Sequence, residues 1–178
     1  MLHADRTANL LGALMGALQD RIDEDLVQEQ VECASDFAAL NLIAQRPGLT
    51  GKDLVPLLGL SQSSVARQVD RLDTRGLLAR SRVEDDKRQF SLKVPGPATR
   101  RVAKIVGRRM GVLSDTLSHL PPQDRQAMAS LLEAMLAGLT RSREEAERIC
   151  RYCDEQACPL EDCPVECKAR ALEAGAGR

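Results

Sequence analysis

Five of the six cysteines lie in one stretch near the end of the chain, Cys150-x2-Cys153-x4-Cys158-x4-Cys163-x3-Cys167. Spacers this short let successive thiolates converge on one ion, and a Cys-x2-Cys pair is the usual half of a four-cysteine zinc site. Because Pro164 is a favourable first helical residue, we expect the Cys163 thiolate at the positive end of a helix. The pattern predicts a metal site with Cys150, Cys153, Cys158 and Cys163 as ligands, and Cys167 as a substitute for Cys163 or an unused thiol.

Three chemistries fit these thiols. Zinc needs only four thiolates, and its binding would give a short tail the free energy to fold. An iron–sulfur cluster also takes four cysteines, and Cys-Pro pairs such as Cys158-Pro159 occur in bacterial ferredoxin-like segments, so the protein would then be a redox or iron sensor. A reversible thiol switch without metal is the third chemistry. Zinc is the favoured cofactor, with the iron–sulfur cluster as its alternative.

The remaining thiol and an enzymatic use of the cysteines are separate questions. Cys33 has no basic residue beside it in the sequence, which favours a small buried filler over a peroxide-sensing thiol. A small thiol-redox enzyme using Cys150 and Cys153 is a weaker alternative, because no strand precedes this pair in a βαβ setting. No phosphate-binding glycine motif and no Ser/His/Asp set is present either, so an enzyme is not expected.

A second group of residues has the chemistry of contact with double-stranded DNA. Ser61 is a good helix N-cap, and serine hydroxyls with free amides at a helix start suit phosphate. Arg67 can bond guanine O6 and N7, Gln68 can pair with adenine, and Arg71 can hold a phosphate one turn further on. With Val65, Val69 and Leu72 facing inward, the outer face of this helix is expected to carry the DNA contacts, which are Ser61, Gln62, Ser63, Ser64, Arg67, Gln68 and Arg71.

The elements around this segment follow the order of a winged helix-turn-helix. A short helix is expected from Gly51 to Leu58, started by Thr50 and ended by Gly59, and the DNA-contacting helix stops at Gly76. Two short strands follow at 77–82 and 89–94. They enclose a charged tip, where Lys87 and Arg88 are expected to contact the minor groove or its phosphates.

Long amphipathic helices flank this unit, at residues 5–31, about 98–120 and about 123–148. Their apolar faces exceed what a small winged domain needs for its own core, which predicts a homodimer. The fold class is therefore mostly α (α+β), a winged helix-turn-helix with long N- and C-terminal dimerisation helices. The expected domains are an N-terminal dimerisation helix (1–32), a DNA-binding domain (33–96), C-terminal dimerisation helices (97–148) and a cysteine-rich metal-binding tail (149–178).

The charge distribution agrees with a polyanion partner. The net charge is −1, but residues 1–32 hold seven acidic and two basic residues, whereas residues 94–111 hold five basic residues and no acidic one. A basic middle between acidic ends suits nucleic acid, although solvated helix faces would give the same count. No signal peptide and no membrane span is recognisable, so a cytoplasmic location without membrane contact is expected.

The helix-turn-helix and wing together resemble the MarR family of transcriptional regulators. The matching segments are Leu49–Leu54, Leu57–Arg67, Val69–Leu72, Gly76-Leu77 and the wing residues Asp86–Arg88. The resemblance extends over roughly residues 8–145. The chain departs from the family's pattern at Val83 in the wing, at Pro56 within the short helix and at Pro95.

This resemblance implies a two-fold dimer, built from the first and last helices, that binds a palindrome near its own promoter and acts as a repressor. The family often binds small aromatic acids. Aromatic residues make up only 2% of this chain, however, so a small-molecule effector is possible but unidentified. A dimeric adaptor that does not bind DNA is a further alternative, which would lack the salt dependence of DNA binding.

Overall fold

A computed structural model describes residues 5–82, 90–155 and 157–176, and ten helices and strands follow one another along them. Lys87 and Arg88, the predicted tip of the wing, lie outside the described residues. The elements are α1 (Arg6–Gln28), α2 (Ala34–Gln45), α3 (Gly51–Leu58), α4 (Gln62–Thr74), β1 (Ala79–Arg82), β2 (Phe90–Lys93), α5 (Gly96–Ser118), α6 (Pro122–Leu139), α7 (Arg143–Cys150) and α8 (Pro164–Ala176).

Local hydrogen bonds explain where α3 and α4 begin and end. Thr50 and Asp53 form a reciprocal capping box at the start of α3, and Gly59 ends that helix with φ at +66°. A glycine tolerates this left-handed conformation, which other residues adopt at a cost. Ser61 caps α4 by accepting a hydrogen bond of 3.2 Å from the Ser64 amide. The predicted starts of both helices are confirmed, and α3 continues through Pro56 without interruption.

The main core lies where α2, α3, α4, the wing strands and α5 meet. Strands β1 and β2 pair antiparallel, with Ala79 opposite Lys93 and Arg82 opposite Phe90. The Leu92 amide also donates to the Leu49 carbonyl at 2.7 Å, which ties the wing to the start of α3. The fully buried side chains include Phe37, Leu40, Leu54, Val65, Leu72, Leu78 and Ile105. The mostly helical winged fold predicted from the sequence is confirmed.

A second, smaller core holds the tail together. It is built from Ala146, Cys163, Val165 and Ala169, with Leu136, Ile149, Cys150 and Cys158 packed against it. Through it, α8 lies against both α6 and α7. The cysteines are therefore part of a folded unit and not of a loose extension.

The single helix predicted for residues 123–148 is wrong, because the chain breaks between α6 and α7. Thr140 is buried with extended backbone, and its hydroxyl donates to the Leu136 carbonyl at 2.9 Å. Ser142 then caps α7 by accepting from the Glu145 amide at 3.1 Å. Serine caps favour a new helix start. The break lets α7 pack beside α8 and α3.

The flanking helices keep wide apolar faces in contact with solvent. Helix α1 packs on α5 of the same chain, yet among its described side chains only Leu26 is buried, and α6 has no buried residue. The large exposed apolar side chains of these helices are Leu10, Leu11, Leu14, Met15, Val27, Met110, Leu117, Leu131, Leu132, Met135 and Leu139. None of the described helices has the length and apolar character needed to cross a bilayer.

Candidate DNA interface and cysteine cluster

The first two turns of α4 present hydroxyls and a cation to solvent. Gln62, Ser63 and Arg67 are exposed and Ser64 is half-buried. The Ser61 hydroxyl lies 3.1 Å from that of Ser63 and 2.9 Å from that of Ser64. The amides of a first helical turn carry partial positive charge, so this arrangement has the chemistry to bind an anion such as a phosphate.

Gln68 does not lie on this outer face, contrary to the sequence expectation. Its side chain is only 4% exposed, and its Nε2 donates to Asp36 Oδ1 at 2.9 Å and to Ser35 Oγ at 3.0 Å. It stands three residues after Val65 and four before Leu72, which places it on their buried face. The buried carboxylate of Asp36 needs donors, and Gln68 supplies one.

Arg71 also donates a hydrogen bond to the Asp36 carboxylate. Its Nη2 lies 2.5 Å from Asp36 Oδ1, and its Nε lies 3.3 Å from a carboxylate oxygen of Glu32. The hydrogen bond to Asp36 is the main cause that raises the pKa of Arg71 above its usual value. Arg71 therefore connects α4 to the start of α2, and its predicted phosphate contact would compete with this role.

Cys33 precedes α2 and is exposed, so the interpretation as a buried filler is wrong. It occupies the N-cap position with extended backbone, φ −156°, and makes no side-chain cap bond. Ser35 and Asp36, whose side chains are of the types that usually cap helices, lie inside the first turn instead, where both accept hydrogen bonds from Gln68.

A groove of about 490 Å³ runs between α3, α4 and the wing, and it contains a cation that the sequence reasoning did not single out. Lys52 lines it together with Gln62, Ala66 and Arg80. Lys52 lies in the first turn of α3, where a positive charge opposes the helix dipole. That unfavourable placement is the signal that marks Lys52 as a candidate for phosphate contact. Arg80, in contrast, is held by ion pairs to Asp70 and Asp73.

The four predicted metal ligands line one small cavity of about 40 Å³, whereas Cys167 is not among its lining residues. Cys163 is buried and directly precedes Pro164, the first residue of α8, as the sequence predicted. The Cys167 thiol is exposed and donates to the Glu161 carbonyl at 3.2 Å. The fold thus brings Cys150, Cys153, Cys158 and Cys163 together and leaves Cys167 outside.

Hydrogen bonds among these thiols shift their acidity. The bond between Cys150 and Cys153 lowers the pKa of Cys153 to about 7, against the effect of burial, and Arg109 adds to the lowering. The same bond, with burial, raises the pKa of Cys150 above its usual value. Burial, with the neighbouring Cys163, raises the pKa of Cys158 to about 11. Among the described residues no three His, Cys, Asp or Glu side chains are already spaced to hold a metal ion, so the thiols would have to rotate to bind one.

The segment that carries the first two cysteines is anchored on α2. Asn41 Nδ2 donates to the backbone carbonyls of Arg151 at 3.2 Å and Cys153 at 3.0 Å. Gln45 Nε2 also donates to the Cys153 carbonyl, at 3.1 Å, and Gln45 Oε1 accepts from the Glu155 amide at 2.8 Å. These contacts join parts of the chain that are more than a hundred residues apart.

Ion pairs surround the same cavity. Arg46, at the end of α2, lies 2.5 Å from a Glu147 carboxylate oxygen and 2.9 Å from one of Glu155. Arg143 bridges α7 to α8 through Glu166 at 2.5 Å and Glu173 at 2.9 Å. Hydrogen bonds from Arg143 lower the pKa of both carboxyls below their usual value. Burial is the largest influence on the pKa of Arg46 and lowers it, but the two carboxylates together raise that pKa above its usual value.

Comparison with known proteins identifies the winged part of the chain. A family model described as MarR family matches residues 34–89. The chain is 26% identical over 99 residues to a protein of Thauera aromatica named for transcriptional regulation of the hcr operon. That match covers 56% of this chain and spans 60% of the length of the curated relative. The family and this relative are transcriptional regulators and not enzymes.

Solved structures share the fold at low sequence identity. A MarR family protein from Bacillus stearothermophilus superposes with a TM-score of 0.68 at 21% identity, covering 76% of this chain and 94% of that one. The YusO protein from Bacillus subtilis gives 0.64 at 20% identity, covering 74% and 92%. MepR, a transcription regulator of the Staphylococcus aureus efflux pump MepA, gives 0.63 at 18% identity, covering 74% and 97%. Residues 34–89 are therefore similar to the MarR family, and the fold of the chain is that of these winged helix-turn-helix structures.

Proposed function

We propose that this regulator binds a palindromic DNA site as a homodimer and represses transcription from a nearby promoter. The observation that carries the proposal is the exposed N-terminal half of α4, where Arg67 and the hydroxyls of Ser61 and Ser63 lie outside the core. A helix of this kind enters the major groove with its N-terminal residues against base edges. The DNA contacts are Ser61, Gln62, Ser63, Ser64 and Arg67, with Lys52 on the phosphates; Lys87 and Arg88 remain predictions for the wing.

The homodimer rests on the exposed apolar faces of the flanking helices. Leu131, Met135 and Leu139 lie along one face of α6 and are 61%, 45% and 59% exposed. Met15 of α1 is 63% exposed. A second copy of the same faces would remove this area from water and place two α4 helices about a two-fold axis. A repressor needs no more than occupancy of the promoter by such a dimer.

We also propose that Cys150, Cys153, Cys158 and Cys163 bind one zinc ion per chain. Their shared cavity and the exclusion of Cys167 favour this set. Four thiolates in a tetrahedral arrangement are a closed, structural zinc site. The small apolar core of the tail gives few buried contacts, so bound metal would add the folding free energy that this core lacks.

Selection of bound duplexes from a random-sequence library, followed by footprinting, tests the DNA function. The expected site has two symmetric half-sites about one helical turn apart, because two recognition helices must enter successive major grooves. Affinity should fall steeply with salt, since phosphate contacts release counterions. A single unsymmetric half-site would contradict the dimer, and the absence of salt-dependent DNA binding would favour the adaptor, which does not bind DNA.

Metal analysis of protein purified without oxygen tests the cysteine site. Zinc at about one ion per chain and no visible colour are expected. Serine in place of Cys150, Cys153, Cys158 or Cys163 should lower the metal content, and the matched variant Cys167→Ser should retain it. A brown protein that contains iron and labile sulfide would contradict zinc and show that the cysteines hold an iron–sulfur cluster. Protein that binds neither metal would leave only the thiol switch.

A further inference from the structure

Helix α2 contacts the cysteine segment at one end and the recognition helix α4 at the other. Near its N-terminus, Asp36 receives hydrogen bonds from Gln68 and Arg71 of α4. Near its C-terminus, Asn41 and Gln45 hold the carbonyls of residues 151 and 153. One rigid helix therefore joins the cysteine cluster to the DNA-contacting surface.

The anchored carbonyls lie inside the proposed metal site. Cys150 and Cys153 enclose only Arg151 and Tyr152, so a metal bound by the two thiolates would fix the backbone that Asn41 contacts. Asn41 is 2% exposed, and without these carbonyls its amide would be a buried donor without a partner. Such a group costs free energy, so release of the segment would disturb α2 itself.

Further contacts strengthen the same connection. The Tyr152 ring stacks on Phe37 of α2 with centroids 6.1 Å apart, and the Arg151 guanidinium carbon lies 4.4 Å from the centroid of the Tyr152 ring. Helix α7 packs on α3, the first helix of the helix-turn-helix. There Arg148 Cδ lies 3.0 Å from the point where a Cβ would stand on Gly59, in the turn that leads into Ser61.

We infer that metal loading of the cysteine cluster regulates DNA affinity by ordering α2 and α3 through the Asn41 and Gln45 contacts. The inference rests on the proposed metal site and DNA function. The docked tail leaves the first turn of α4 exposed, so the loaded form is competent to bind DNA. Loss of metal releases residues 151–155 from α2 and makes that helix less ordered. DNA binding must then order α2 again, and the free energy that this costs lowers the affinity for DNA.

The experiment compares zinc-loaded and zinc-stripped full-length protein on a duplex recovered by the selection described above. Stripping should weaken binding about tenfold, within the usual range of allosteric coupling. Gln45→Glu keeps the side-chain shape but removes one of the two donors to the Cys153 carbonyl, and Asn41 remains the other. This variant should retain about one zinc per chain. Its loaded form should bind more weakly than loaded wild type, and its response to zinc should be less than about half that of wild type. Gln126→Glu, the same change at an exposed position of α6, should behave as wild type.

Amide hydrogen exchange of α2 and α3 gives a readout that needs no DNA. Stripping should speed exchange there in the wild type, and Gln45→Glu should show the faster exchange even when loaded. A protein that binds zinc and DNA yet shows neither change overturns the coupling and leaves the proposed function intact. A zinc response as large in Gln45→Glu as in wild type overturns the route through α2. Failure to bind zinc removes the metal site and the inference together.

Discussion

At the scale of single residues, Arg67 is expected to be the side chain that discriminates bases. It is exposed on the outer face of α4, and an arginine can bond both acceptors of a guanine. Arg67→Ala should weaken binding of the selected duplex by about 1–3 kcal/mol and relax one base position. Fluorescence anisotropy on the duplex and its single-base variants measures both effects.

The matched control is Arg141→Ala, which removes the same charge from an exposed position between α6 and α7. It should leave the base preference unchanged. Equal loss in both variants would mean that Arg67 acts only through net charge, and the assignment to a base would then be wrong.

Gln68 is expected to act on stability and not on base choice. Its removal takes one of the donors from the buried Asp36 carboxylate, so Gln68→Ala should lower the free energy of unfolding by about 1–3 kcal/mol. Urea unfolding followed by circular dichroism measures this loss. Gln62→Ala, at an exposed position six residues earlier, should leave stability within about 0.5 kcal/mol of wild type. A larger stability loss in Gln62→Ala than in Gln68→Ala would contradict the structural role of Gln68 and favour the original prediction that it contacts DNA.

At the scale of elements, the contact of α7 with α8 is expected to weaken in acid. Arg143 lowers the pKa of Glu166 and Glu173 from 4.5, so both carboxylates stabilise the folded tail at neutral pH. This stabilisation is present above the unfolded pKa and is lost as the pH falls through the lower folded values. The stability difference between wild type and Arg143→Ala should therefore be largest above pH 4.5 and shrink below it.

Carbon NMR titration of the two glutamate carboxyls measures this directly. Their midpoints should lie below 4.5 in the wild type and return towards it in Arg143→Ala. Arg125→Ala is the control, because among the described residues that side chain donates to the carbonyls of Leu120 and Ser118 and to no carboxylate. Unchanged midpoints in Arg143→Ala would mean that the two ion pairs do not form in solution.

At the scale of the whole molecule, the exposed face of α6 is expected to hold two protomers together. Leu131→Asp combined with Leu139→Asp places charges on that face, where burial in an interface would be costly. Sedimentation should then show monomers. Affinity for the palindrome should fall towards that of a single half-site, because the second contact no longer adds its effective concentration. Ser130→Asp, on the opposite side of the helix, should remain dimeric; a dimer in both variants would place the interface elsewhere.

Contacts within a few residues could be predicted from the sequence. Thr50, Ser61 and Gly59 mark helix ends because their hydrogen bonds and backbone angles involve only near neighbours. The break at Thr140 is not predicted, because the buried position of Thr140 depends on the tail that packs there. Cys33 was misplaced for the same reason, since exposure is a property of the surrounding elements.

The sequence by itself determined the winged order of elements and the resemblance to the MarR family, since both depend on residue type and short spacing. The choice of four cysteines as metal ligands stays a prediction. Tertiary structure alone decided that Gln68 faces Asp36 and that the cysteine segment lies on α2. The Asn41 amide and the Cys153 carbonyl are 112 residues apart in the chain, and no local pattern links them. They meet because folding buries a polar side chain that must find a partner, and the partner is whichever backbone the packed elements bring within reach.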